Sequence, residues 1–185
     1  MRLPDPHSYG SGNPGATNVL RTGNKKAAVL TLIGDTLKGY FAVMLARVVL
    51  SNESLASILG LWVLCGVVIA VFLGHLFPFF HGFKGGKGVA TACGILFGIN
   101  WILGLTTLGT WIIVAIFMRY SSLAALAAAI FSPIYFVFLF DFQPMVIALL
   151  IVCLLLIWRH RSNIHNLMNG TESRISSKKK VITGE

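Results

Sequence analysis

Apolar residues gather in six runs along the chain: Ala27 to Leu50, Leu55 to Phe80, Gly88 to Asn100, Trp101 to Met118, Leu123 to Phe140 and Phe142 to Trp158, with very short connections between them. Most have the length of a helical membrane crossing, which takes about 20 apolar residues. Gly88 to Asn100 is shorter. As a helix, ~13 residues rise only ~20 Å against a hydrocarbon core of ~30 Å, which by itself reads as a re-entrant segment or a buried half-helix. Residues 1–26 carry no apolar run, so no cleavable signal is expected there, and the chain opens in a polar loop.

Composition agrees with the runs. Of 185 residues, 56% are hydrophobic and 11% charged, and the mean hydropathy is +0.79. A soluble domain carries roughly 25% charged residues, so an ordinary soluble or disordered protein is excluded. The 15 Lys and Arg outnumber the 6 Asp and Glu, for a net charge of +9, and their placement addresses the short run. Arg2, Arg21, Lys25, Lys26, Lys84, Lys87, Arg119, Arg159, Arg161, Arg174 and Lys178 to Lys180 share one side only if every run crosses. The other side then receives Ser51 to Ser54, Asn100 and Asp141, while Lys38 lies within a span and Arg47 near its far end. The cation-rich side is expected to be cytoplasmic. The expectation is an all-α, polytopic helical membrane protein of about six transmembrane helices. It is one domain over residues 1–185, with a cytoplasmic glycine-rich loop at 1–26 and a cytoplasmic basic tail at 159–185. The Lys178 to Lys180 run reads as an orientation signal that touches anionic lipid, not as a nucleic-acid site. Cys65, Cys93 and Cys153 are distant from one another within apolar runs and read as packing residues.

Candidate chemistry is confined to the loops on the cation-rich side. The first reads Gly10-Ser11-Gly12-Asn13-Pro14-Gly15-Ala16-Thr17-Asn18-Val19-Leu20-Arg21. Its glycines match the dinucleotide spacing, but without a strand before or a βαβ unit after, that match fails. What remains is an anion nest. Glycines let backbone N–H groups turn toward one anion, Ser11 and Thr17 add hydroxyls, Thr17 or Asn18 caps a helix, and Arg21 offers a fork of donors. The second, Gly82-Phe83-Lys84-Gly85-Gly86-Lys87-Gly88, fails the phosphate-loop spacing at His81 and Gly88 yet suits a second anion site at a helix start, with Lys84 or Lys87 as the charge. His75 and His81 beside it read as helix-end or packing residues. Arg119-Tyr120-Ser121-Ser122 reads as an interfacial anchor with a helix cap. In Arg159-His160-Arg161-Ser162-Asn163, His160 and Asn163 share a face if the helix continues.

Asp35 and Lys38 stand three residues apart inside the first run, a spacing that lets them pair and lowers the cost of burial. The pair reads as a brace holding helices together, or as part of a site. The acyltransferase HxxxxD motif, GxSxG, HExxH and a paired-carboxylate magnesium motif are all missing from the sequence. No metal or cofactor is expected, and catalysis would rest on backbone donors and cations that hold phosphorylated groups.

The strings SGNPGATNVLR, GDTLKG, GFKGGKGVAT, RYSS and RHRSNI, in this order and between these runs, resemble the acyl-phosphate-dependent glycerol-3-phosphate acyltransferase family of bacteria, called PlsY. The resemblance implies transfer of an acyl group from acyl phosphate to the sn-1 hydroxyl of glycerol-3-phosphate. The products would be lysophosphatidic acid and phosphate, in the first step of phospholipid synthesis. It further implies a multi-pass protein of the bacterial inner membrane with its site facing the cytoplasm, supplied by an upstream acyl-phosphate-producing enzyme. By the same resemblance, Ser11, Gly12, Asn13, Gly15, Thr17 and Asn18 would hold the acyl-phosphate group. Arg21, Lys87 or Lys84, Ser121 or Ser122, His160 and Asn163 would hold glycerol-3-phosphate and orient its hydroxyl. Family members carry a further apolar segment before the glycine loop, so seven helices are expected with a segment preceding Met1.

A transporter or channel for phosphate or an organophosphate would also use glycine-broken helices with cations at their positive ends. It would need polar residues along a path to the far side, and beyond Asp35 and Lys38 the runs offer few. A purely structural membrane subunit would leave the Gly, Ser, Asn, Lys and Arg loops without a purpose.

Overall fold

The structure is a computed structural model that describes residues 4–6, 8–51 and 58–175, with the backbone alone for Ile58 and His81. Arg2 and Lys178 to Lys180 lie outside the described residues. Within them the chain forms eight α-helices and no strand: α1 (Ala16–Leu20), α2 (Lys25–Val49), α3 (Ile58–Leu76), α4 (Val89–Ile99), α5 (Trp101–Met118), α6 (Ser121–Phe140), α7 (Pro144–Arg159) and α8 (Arg161–Met168).

Local chemistry sets most boundaries. Asn24 caps α2, its side chain accepting from the Ala27 N–H at 3.0 Å. Pro78, which has no N–H, ends the second run at Leu76 rather than Phe80 and leads into a 3₁₀ turn at Phe79–His81. Asn100 both ends α4 and caps α5, accepting from the N–H groups of Ile102 at 2.8 Å and Leu103 at 3.4 Å, so the two helices meet where the sequence divides them. Two expected caps are not made. Thr17 and Asn18 lie within α1, whose N-cap is Gly15 without a side-chain bond, and α6 starts at Ser121 behind Tyr120, again without one. Glycine has no side-chain oxygen, and the Tyr120 hydroxyl, at the far end of its ring, accepts from Arg174 Nε at 3.1 Å instead.

Four helices, α2, α3, α5 and α6, are long and apolar enough to cross a membrane singly, and α7 with α8, bent by 59°, is a fifth candidate. Exposed Leu45, Val49, Leu59, Ile116, Phe117, Phe138 and Leu154 give the bundle an apolar exterior suited to lipid. Phe72, Leu76, Ile95, Leu103 and Leu149 fill the interior between helices. The 11-residue α4 is short because it pairs with only the second half of α2. Gly39 touches the Thr91 carbonyl, Gly94 the Thr36 carbonyl and Gly98 the Val43 side chain, so the two helices run parallel with their backbones nearly in contact, as small residues at four-residue spacing allow. At the far end Arg47 donates to the carbonyls of Gly98 at 2.9 Å and Ile99 at 3.2 Å. The near end of α4 therefore stands level with Asp35, ~15 Å along α2 from its start.

Candidate active site

Gly88 opens α4 in the left-handed conformation, φ 86°, where a side chain would also strike the Phe72 ring. This turn delivers Lys87 inward. Its ammonium donates to Asn163 Oδ1 at 2.6 Å, joining the start of α4 to α8, 76 residues later. Asn163 Nδ2 and Ser122 Oγ both donate to Glu172 Oε1, each at 2.7 Å. Asn163, Ser122 and His160 are buried, so this polar group is a closed assembly from α4, α6, α8 and the segment beyond it. Burial pushes the Lys87 ammonium down from its ordinary range, partly countered by Glu172.

His160 occupies the bend between α7 and α8. Its Nδ1 lies 2.8 Å from the Leu156 carbonyl, so Nδ1 carries the proton and Nε2 is left as an acceptor. Burial is the chief reason its pKa is pushed down to about 4, with Lys87 and Arg159 adding to the effect. The ring is therefore neutral at pH 7.

On its other side Lys87 borders a cavity of about 180 Å³ lined by Ser11, Gly12, Asn13, Arg159, Arg161 and Ser162. Three cations and no carboxylate face it. The first loop reaches this place because Asn18, 2% exposed, spends its whole side chain on it. Oδ1 accepts from Ser11 N at 2.9 Å, and Nδ2 donates to the carbonyls of Pro6 at 2.9 Å and Tyr9 at 3.2 Å. Gly10 and Gly12, with φ of 59° and 63°, complete the curl. Arg21 lies against the same loop, Nη1 being 3.5 Å from Asn18 Oδ1, and its Nη2 donates to Ser173 Oγ at 2.5 Å.

The sequence candidates thus divide. Ser11, Gly12, Asn13, Lys87, Ser122, His160 and Asn163 converge, with Arg21 at the rim. Asn18 organises the loop from behind. Gly15 starts α1 against the Asn13 side chain, and Thr17 instead lines an apolar groove of about 420 Å³ with Leu20, Ala28, Val29 and Leu32. Lys84 is exposed and does not line the cavity, and Ser121 is the first residue of α6 beside the buried Ser122. Asp35 and Lys38 pair as their spacing suggests, Nζ to Oδ1 at 2.8 Å. Glu172, Arg159 and Arg161 were not singled out as site residues by sequence. Glu172 had a signal, being the one acid between Arg159 and Lys180 amid a run of cations.

Known proteins resemble this chain over nearly its whole length. The family description "Glycerol-3-phosphate acyltransferase" matches residues 1–170. A glycerol-3-phosphate acyltransferase of Cupriavidus pinatubonensis is 63% identical over 181 residues, 98% of this chain and 88% of that protein. One from Ralstonia nicotianae is 57% identical over 180 residues, 97% of this chain and 85% of that protein. A crystal structure of PlsY, an integral membrane glycerol 3-phosphate acyltransferase, in its glycerol 3-phosphate form superposes with a TM-score of 0.85 at 36% identity, over 94% of this chain and 83% of that one. Its lysophosphatidic acid form superposes at 0.80 and 37% identity, over 89% and 80%. Shared sequence and shared helical frame, over nearly the whole length, place this chain in the glycerol-3-phosphate acyltransferase family.

Proposed function

We propose that this protein transfers an acyl group from acyl phosphate to the sn-1 hydroxyl of glycerol-3-phosphate, releasing lysophosphatidic acid and inorganic phosphate on the cytoplasmic side of a bacterial inner membrane. The observation that carries this reading is that Lys87 stands between the cation-lined cavity under the first loop and the buried polar group of Ser122, His160 and Asn163. A reaction between two phosphorylated molecules needs two anion sites whose reacting ends meet.

In this reading the acyl-phosphate group lies in the cavity. The hydroxyl of Ser11, the Asn13 amide, Arg159 and Arg161 hold its phosphate, with its chain in the bilayer, while the N–H groups of Ser11 and Gly12 are spent on Asn18 Oδ1 and the Tyr9 carbonyl and hold the loop in shape. The recessed start of α4 suits such an amphiphile. Glycerol-3-phosphate lies beside Arg21, Lys87, Ser122 and Asn163, and its sn-1 hydroxyl donates to the free Nε2 of neutral His160. The hydroxyl oxygen attacks the acyl carbon, and the bond from that carbon to the phosphate oxygen then breaks. The released phosphate carries away the bridging oxygen and takes up the hydroxyl proton. Acyl phosphate already has a good leaving group, so position and fixed cations supply most of the rate. Such a substrate would come from an enzyme that makes acyl phosphate, its natural partner upstream.

The protein in detergent should make labelled lysophosphatidic acid from acyl phosphate and labelled glycerol-3-phosphate, and none from acyl-CoA in a parallel reaction. Product from acyl-CoA alone would overturn the choice of acyl source. No product from either, with anion flux in liposomes, would replace the transferase with a transporter.

A further inference from the structure

A second cluster of titratable groups lies behind the site, outside the set that faces substrate. Lys38 Nζ sits 2.8 Å from Asp35 Oδ1 and 2.5 Å from His75 Nδ1, and that His75 nitrogen is 3.5 Å from the same carboxylate oxygen. An ammonium can only donate, so Nδ1 accepts and the ring proton rests on Nε2. The His75 side chain is 7% exposed, and its Nε2 edge lies directly against Gly86, where a Cβ would collide with the ring. Gly85 is pressed just as closely on the carbonyls of His75 and Leu76, and its N–H donates to the latter at 3.2 Å.

From the opposite side Arg159 donates to both loop carbonyls, Nη2 to Gly85 at 2.7 Å and Nε to Gly86 at 3.2 Å. The peptide just before Lys87 is therefore gripped between the end of α7 and the ring of His75. That ring is in turn held by a charged pair one turn apart on α2. A brace for the helices alone would be served as well by apolar packing, since the largely buried Asp35 carboxylate is costly to desolvate even beside the more exposed Lys38. A relay of polar groups whose last member, His75, abuts the backbone of a single loop fixes an orientation.

We propose that Asp35, Lys38 and His75 are positioning residues for the acyl transfer: they set the Gly85–Gly86 backbone and, through it, where the Lys87 ammonium stands for glycerol-3-phosphate. This rests on the functional reading above. None of the three touches substrate.

Steady-state kinetics of Lys38→Met, Lys38→Arg and His75→Asn in detergent, with thermal midpoints, test it. Lys38→Met and His75→Asn should each raise KM for glycerol-3-phosphate about tenfold, the size expected when one hydrogen bond to a charged group is weakened. The acyl phosphate KM and kcat should stay within about twofold, and Lys38→Arg, which keeps a donor for Nδ1, should recover most of the loss. Gly86→Ala should produce the same signature and should cost less in the His75→Asn background, where the shorter side chain leaves room for the methyl. Folded variants with unchanged KM, strictly additive effects of Gly86→Ala and His75→Asn, or losses in kcat and both KM values that track lost folded protein would each overturn the proposal while leaving the transferase reading intact. Absence of lysophosphatidic acid from the unsubstituted protein would overturn both.

Discussion

At the scale of single residues, this site is built from side chains that already have partners in the protein. Asn18 is the clearest case, since every hydrogen-bonding atom of its amide is engaged within the first loop. Asn18→Ala should therefore loosen the Ser11 to Asn13 curl without touching Lys87. We expect the KM for acyl phosphate to rise about tenfold while that for glycerol-3-phosphate holds, and initial-rate kinetics with each substrate varied in turn will check it. His160 carries a pH dependence. Its folded pKa, about 4, lies below the ordinary 6.5, so the unfolded chain binds its proton first as the pH falls. Stability tied to the neutral ring is complete above about 6.5 and declines toward 4, by on the order of 3 kcal/mol. Thermal midpoints of the protein and of His160→Gln across that window should converge at the acid end if this holds.

At the scale of elements, the pairing of α2 with α4 controls where the second loop ends, so it controls the site. The glycine contacts differ sharply in their surroundings. Gly94 faces the Thr36 carbonyl, which cannot swing aside, whereas Gly109 on α5 has open space around it. Gly94→Ala should cost ~1–3 kcal/mol by overpacking and lower activity as α4 shifts, whereas Gly109→Ala should leave both unchanged. Detergent melting curves and turnover of the two variants make the comparison. Most elements were legible beforehand. The runs at Trp101 to Met118 and Gly88 to Asn100 are bounded by Asn100, whose capping role is local chemistry, and the structure departs from them by no more than a residue at either end. Hydropathy carries the second run to Phe80, beyond the end of α3 at Leu76, because Phe77, Phe79 and Phe80 are apolar and hydropathy does not register the N–H missing at Pro78.

At the scale of the whole molecule, the cations Arg21, Lys87, Arg119, Arg159, Arg161 and Arg174 belong to segments that meet at one end of the bundle. Arg21 joins Ser173, Arg159 joins the second loop, and the N–H of Ile175 donates to the Arg119 carbonyl at 2.7 Å. On the positive-inside bias, the proposed orientation puts this end in the cytoplasm. In cells expressing a form with Cys65, Cys93 and Cys153 changed to alanine, a membrane-impermeant maleimide should label Asp141→Cys from outside. It should label Ser162→Cys only after permeabilisation, and the reverse pattern would invert the topology.

What the sequence determined by itself was whatever depends on neighbours along the chain: an all-helical membrane protein, where most of its helices begin and end, the Asp35 and Lys38 pair, and the four polar loops that carry the candidate residues. Those follow from hydropathy, spacing and caps, which act over a few residues. Tertiary structure decided which members of each loop meet. It turned Lys87 inward and left Lys84 exposed, buried Ser122 under Glu172, sent Thr17 to an apolar groove and set His75 against Gly86. Each of these depends on how helices pack across separations of tens of residues, and no local pattern encodes that distance.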